Sequence, residues 1–69
     1  MKVGDVVSES IEFGIPWDEA EKYDQTQSGV IFKKSKGLFY ILWFDTRESS
    51  FRTDYWAKSV SARVINESR

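Results

Sequence analysis

The residues best suited to chemistry are basic side chains that lie among aromatic residues in the second half of the chain. They are Lys33, Lys34, Lys36, Arg47 and Arg52. Basic side chains can follow a phosphate backbone while neighbouring rings stack on bases, so these five residues form a candidate nucleic-acid site. The sequence pI of about 5.3 argues against this interpretation, because nucleic-acid-binding domains are usually basic. Lysines at the tip of a hairpin are also commonly ordinary solvated charges.

Carboxylates are concentrated in residues 9–24. Their spacing lacks the D-x-D-x-D-G pattern of a calcium loop, so we predict a solvated acidic loop. The alternatives are a docking surface for a basic partner and mimicry of a nucleic-acid backbone. Residues 1–28 carry two basic and seven acidic residues, whereas residues 29–69 carry eight basic and four acidic residues. The chain is therefore dipolar in sequence, and the fold decides whether it is dipolar in space.

The residue types that are missing limit the chemistry further. The 69 residues include no histidine and no cysteine, which excludes a Ser–His relay, a cysteine nucleophile and an ordinary zinc site. A chain of this length forms one domain, residues 1–69, with little room for a substrate pocket. We therefore expect a protein that is not an enzyme and that uses neither a cofactor nor a metal.

Three aromatic residues suggest a further alternative. Trp43, Tyr55 and Trp56 could form a cage for a methylated lysine if their rings converged beside the carboxylate of Asp54. The sequence does not show such convergence. Packing of these rings in the core is the favoured interpretation.

The chain predicts short strands joined by turns. We place strands at residues 6–11, 29–34, 38–44, 51–56 and 62–65, and a helical turn at residues 57–61 before the last strand. The loop of about 17 residues at 12–28 is compatible with a short helix near residues 16–23, because Pro16 suits the first helical position. An alternative makes Asp54 the N-cap of a helix that runs to Ala62. We expect the C-terminal residues 66–69 to be frayed.

Four segments carry a resemblance to a known family. They are Val3-Gly4-Asp5-Val6-Val7, Ser28-Gly29-Val30-Ile31, Ile41-Leu42-Trp43-Phe44-Asp45 and Val60-Ser61-Ala62-Arg63-Val64-Ile65. With these segments the chain resembles the small SH3-like barrels, KOW-like or Tudor-like, that tailed phages encode as separate proteins. The resemblance implies an all-β, five-stranded SH3-like barrel with a long first loop. Proteins of this fold typically bind peptides, nucleic acid or other subunits and do not catalyse.

The resemblance also assigns the two faces of the strand at residues 38–44. Phe39, Ile41 and Trp43 are expected in the core, so Tyr40, Leu42 and Phe44 face outward. There are two alternatives for the outward residues. Either the acidic loop covers them with Ile15, Trp17 and Tyr23, or they form an exposed strip that binds protein.

The predicted function is a protein-protein interaction module, a small phage-encoded component or effector that binds a larger assembly or a host protein. The predicted protein-binding residues are Tyr40, Leu42, Phe44, Trp17 and Tyr23. The alternative is a KOW-like nucleic-acid-binding domain that uses the basic residues named above. A homo-oligomer is a further alternative, because small cores often gain stability from oligomerisation.

The N-terminal residues lack the apolar segment of a signal peptide, and no apolar run is long enough to cross a membrane. We therefore expect the protein in the host cytoplasm or in the virion, with no membrane partner.

Overall fold

The computed structural model describes residues 1–66 as one five-stranded antiparallel sheet with two short helices. The elements are β1 (Val6–Ser10), α1 (Trp17–Lys22), β2 (Thr26–Ser35), β3 (Leu38–Trp43), β4 (Ser49–Thr53), α2 (Asp54–Ala57) and β5 (Ala62–Asn66). The strand order is β4-β3-β2-β1-β5. The mostly-β class, the five strands and the short helix near residues 16–23 are thereby confirmed. The predicted fraying of residues 66–69 falls mainly on residues outside those described.

The end of the fourth strand differs from the prediction. Residues 54–56 were predicted as strand, but they begin α2, which has only four residues. The reason is local: the Thr53 hydroxyl accepts a hydrogen bond from the Trp56 backbone N–H at 3.3 Å and so caps the helix. The helix alternative was therefore right about the place and wrong about the N-cap residue and the length. The early turn brings Trp56 into the core.

The core lies on the inner face of the sheet and is closed by α2. The inner face of β3 contributes the side chains that the sequence assigned to it, and Phe39, Ile41 and Trp43 are all buried. They pack with Val7, Ile31 and Trp56. Burial of apolar area in this cluster is the main favourable contribution to folding, at about 25 cal/mol per Å².

The acidic first loop is held against the outer face over β1 and β5. The Trp17 indole N–H donates to Ser8 Oγ at 2.8 Å. The Arg63 guanidinium lies 4.3 Å from the centre of the Trp17 ring and pairs with Asp18 at 3.0 Å. These contacts fix α1 on the β1–β5 side, and the outer face of β3 keeps large exposed apolar side chains.

Gly29 allows β2 to lie very close to β3. A Cβ atom at this position would overlap the Leu42 carbonyl oxygen and lie 2.8 Å from Ile41 Cγ2. The Leu42 oxygen belongs to the backbone of a central strand, so it has little freedom to move away. A glycine is therefore required at this point for the β2–β3 pairing that forms the middle of the sheet.

We predict that Gly29→Ala lowers the free energy of unfolding by roughly 1–3 kcal/mol, as overpacking of a close contact does. Urea denaturation measures the change, with Ser35→Ala at the end of the same strand as the matched control. Equal stability of Gly29→Ala and Ser35→Ala would contradict the close approach.

Candidate functional site

The outer face of β2, β3 and β4 carries an exposed group of large apolar side chains. Leu42 is 40% exposed, Phe44 49%, Phe32 50% and Phe51 57%, while Tyr40 is half-buried among them. We call these five residues the outer strip. Isolated apolar residues on a surface are ordinary, but a contiguous group on one sheet face is typical of an interaction site.

Strand register explains how the outer strip forms. Tyr40 pairs with Phe51 on β4 and with Lys33 on β2, and a register shift between Ile31 and Lys33 places Phe32 outside the regular pairing. The ring centroids of Phe32 and Tyr40, and of Tyr40 and Phe51, are each 6.4 Å apart. Aromatic pairs at this separation attract each other. The three rings therefore form a continuous row across three strands.

The structure separates the residues that the sequence grouped as a protein-binding set. Tyr40, Leu42 and Phe44 lie together on the outer strip, whereas Trp17 packs on β1 and β5 through Ser8 and Arg63. Tyr23 ends α1 and is 68% exposed. The loop therefore leaves Leu42 and Phe44 exposed.

Sequence reasoning missed two members of the outer strip. Phe51 could have been predicted from the alternation in β4, because the residues of one face of a strand repeat at every second position. Phe32 follows from the same rule, because it is next to the buried Ile31; the register shift in β2 instead sets Lys33 opposite Tyr40.

The five basic candidates do not share one surface. Lys33 and Lys34 extend over the rings of Tyr40 and Phe39, with Nζ 5.2 Å from each ring centroid. Lys36 is exposed in the β2–β3 turn, and Arg47 is exposed at the opposite end of β3. Arg52 extends along the inner face, where it is ion-paired. Only the lysines lie together at one end of the sheet, and we call them the basic hairpin (Lys33, Lys34 and Lys36). Lys33 is on the outer face with Tyr40, whereas Lys34 is on the inner face with Phe39.

Arg52 is held by a buried carboxylate, that of Glu9 on β1. The guanidinium donates from Nε to Oε1 and from Nη2 to Oε2, both at 2.8 Å. The Trp56 indole N–H donates to Oε1 at 2.9 Å, and the Gln27 amide donates to Oε2. Glu9 was predicted in a solvated loop, and this is wrong: it is 5% exposed. Four donors compensate for its desolvation, as a buried charge requires.

Glu9 also favours the protonated, charged form of the Arg52 guanidinium. The hydrogen bonds from Arg52 to Glu9 raise the pKa of the guanidinium, burial lowers it, and the negative charge of Glu9 raises it, with a net increase. A raised pKa means that this contribution to stability is complete below the ordinary arginine pKa and is lost only as the pH rises through the raised value. The Arg52 guanidinium therefore stays charged throughout neutral and mildly alkaline solution.

The aromatic cage does not form. Trp43 and Trp56 are buried, and their indole N–H groups donate to Ser50 Oγ at 2.6 Å and to Glu9. Tyr55 is 76% exposed and packs on Phe13 at a centroid distance of 6.2 Å. The rings therefore do not surround Asp54, and the preferred core interpretation holds for the two tryptophans but not for Tyr55.

A cleft of about 290 Å³ lies beside the Phe13–Tyr55 pair, between β4 and the end of β1. Its only buried charged groups are the paired Glu9 and the partly buried Arg52, so the described lining holds no unpaired buried charge.

Residues 1–66 bring together no group of acidic side chains suited to a metal ion. In the same residues no helix is long and apolar enough to span a membrane.

Comparison with known proteins leaves these surfaces without a counterpart: no family model, curated protein or solved structure matches the chain.

We predict that Arg52→Met destabilises the protein by about 3 kcal/mol, because it leaves the buried Glu9 carboxylate without its counter-charge. Chemical denaturation measures the loss. Asp18→Asn, which breaks the exposed pair with Arg63, is the matched control and is expected to cost less than about 1 kcal/mol. Equal costs for the two substitutions would show that the buried pair has no special role.

Proposed function

We propose that this chain is a non-enzymatic protein-interaction module that binds its partner through the outer strip. The observation that carries the proposal is the row of aromatic and aliphatic side chains on β2, β3 and β4 that α1 leaves exposed. Exposed apolar surface is unfavourable in water, so binding of a partner that covers this surface is favourable. Aromatic residues, Phe included, are also enriched in the cores of protein interfaces.

Fold-level resemblance adds support of a weaker kind. An SH3-like barrel, of the sort that tailed phages encode as separate small proteins, would have five strands, a long first loop and a short helix before the last strand. Such a protein would be a small component of a phage assembly or an effector that binds a host protein. The strand order and the position of α2 are compatible with this architecture. Because a fold does not define a function, the outer strip carries the argument.

The nucleic-acid alternative has less support than the sequence suggested. Arg52 is engaged with Glu9, and Arg47 lies at the far end of β3 from the basic hairpin. Three exposed lysines remain, two of them beside aromatic rings. Ring faces already covered by the protein's own lysines are poorly placed to stack on bases.

We predict that Leu42→Ser combined with Phe44→Ser abolishes partner binding while the fold is retained, because both side chains are exposed and contribute little to the core. Affinity capture and circular dichroism measure binding and folding. Tyr55→Ser, an exposed aromatic residue on α2, is the matched control. Unchanged capture by the folded double variant would exclude the outer strip as the binding surface.

We further predict that the protein forms no stable complex with single- or double-stranded DNA or RNA at about 50 mM salt, where phosphate contacts are strong. Fluorescence anisotropy measures binding. A complex that weakens steeply with salt and is lost in Lys33→Glu would instead favour the nucleic-acid function.

A further inference from the structure

Charges of opposite sign lie at the two ends of the outer strip. The basic hairpin lies at the β2–β3 turn, and the β3–β4 turn at the other end of the strip carries Asp45 and Glu48 with Arg47. We call Asp45 and Glu48 the acidic turn. Both turns belong to residues 29–69, so this arrangement is separate from the charge asymmetry between the two halves of the sequence. Asp54, whose backbone N–H donates to the Gly37 carbonyl, adds one carboxylate beside the basic hairpin.

The first residue of α1 lies level with the end of β3 that carries the acidic turn. The Phe44 backbone N–H donates to the Ser28 carbonyl at 2.9 Å, and Ser28 pairs with Ser8 on β1. Ser8 accepts the hydrogen bond from Trp17, the first residue of α1. The start of α1 is therefore level with Phe44, and the carboxylates of Asp18 and Glu19 in this helix are paired with Arg63 and Lys22.

The charges next to the outer strip are available to a partner. Within residues 1–66 the ion pairs join Glu9 to Arg52, Asp18 to Arg63 and Glu19 to Lys22. The basic hairpin and the acidic turn take part in none of these pairs. All of their charged side chains are exposed.

We propose that the outer strip binds a second copy of this chain, with the two faces stacked about a two-fold axis near Tyr40 and Leu42. This inference rests on the proposed function, because it names the partner of the same face. A two-fold interface uses the same patch on both copies. With this axis in the interface and perpendicular to β3, the basic hairpin of each copy lies beside the acidic turn of the other. A two-fold axis parallel to β3 would instead bring like charges together. The net charge of −1 gives little long-range repulsion between copies.

The area of the outer strip agrees with a weak dimer. Aromatic side chains bury about 150–250 Å² each, so four side chains exposed by about half supply roughly 400 Å² of apolar surface per copy. Two copies would bury roughly 800 Å², and the charged ends would bring the total near the ~1,200 Å² at the lower limit of specific interfaces. Interfaces near this limit are typically weak and transient, so we expect dimerisation to become measurable only at high protein concentration, below about 1 mM.

Charge reversal tests the arrangement directly. One variant carries Lys33→Glu and Lys36→Glu, so both ends of its strip are acidic; the other carries Asp45→Lys and Glu48→Lys, so both ends are basic. We expect each variant alone to dimerise at least tenfold more weakly than the original chain. An equimolar mixture should form a heterodimer as tight as the original dimer, because each basic end then meets an acidic end. Sedimentation equilibrium measures all three association constants.

Two further measurements keep the test decisive. If a doubly substituted chain fails to fold by circular dichroism, Lys36→Glu and Glu48→Lys are used singly, since both residues lie in exposed turns. Tyr55→Ser should dimerise as the original chain does, and Leu42→Ser should dimerise at least tenfold more weakly.

The inference is overturned if the original chain stays monomeric at about 1 mM, or if the mixture shows no heterodimer. The proposed function fails separately. It survives a monomeric result when Leu42→Ser with Phe44→Ser still removes capture of another protein, and it fails when that variant changes neither capture nor self-association.

Discussion

The buried ion pair between Glu9 and Arg52 is the interaction on which the rest of the structure depends. β1 and β4 are separated in the sheet by β2 and β3, yet these two side chains meet on the inner face at 2.8 Å. The sheet must therefore curve around its core. The same carboxylate accepts the Trp56 indole N–H and so also fixes α2. One side chain thus connects two distant strands and the helix that closes the core.

This arrangement separates the two roles of the charged residues. Charges within the core are fully paired and hold the curvature, whereas the basic hairpin and the acidic turn remain exposed around the outer strip. The same division holds for the aromatic residues. Trp43 and Trp56 donate inside the protein, while Phe32, Phe44 and Phe51 expose about half of their surface. The outer face can therefore bind a partner without breaking the interactions that maintain the fold.

Much of the fold could be predicted because it follows from local patterns. Alternating apolar residues located the strands, and the two-faced pattern of β3 identified the inner side chains correctly. The site could be predicted only in part. Leu42 and Phe44 follow from alternation, but the register shift that sets Lys33 opposite Tyr40 has no local sign in the sequence. The role of Glu9 could not be inferred, because a carboxylate in a strand gives no local sign of a guanidinium 43 residues away. The start of α2 was missed because a threonine cap competes with strand alternation over only a few residues.

The threonine that caps α2 also affects how the outermost strand meets solvent. β4 lies at the end of the sheet, so one row of its backbone N–H and C=O groups faces away from β3. Its one charged residue, Arg52, is turned inward and gives no protection against pairing with another strand. Thr53 ends the strand after five residues by starting the helix. Its hydroxyl therefore limits the backbone open to uncontrolled strand addition, which makes a helix cap into a safeguard against aggregation.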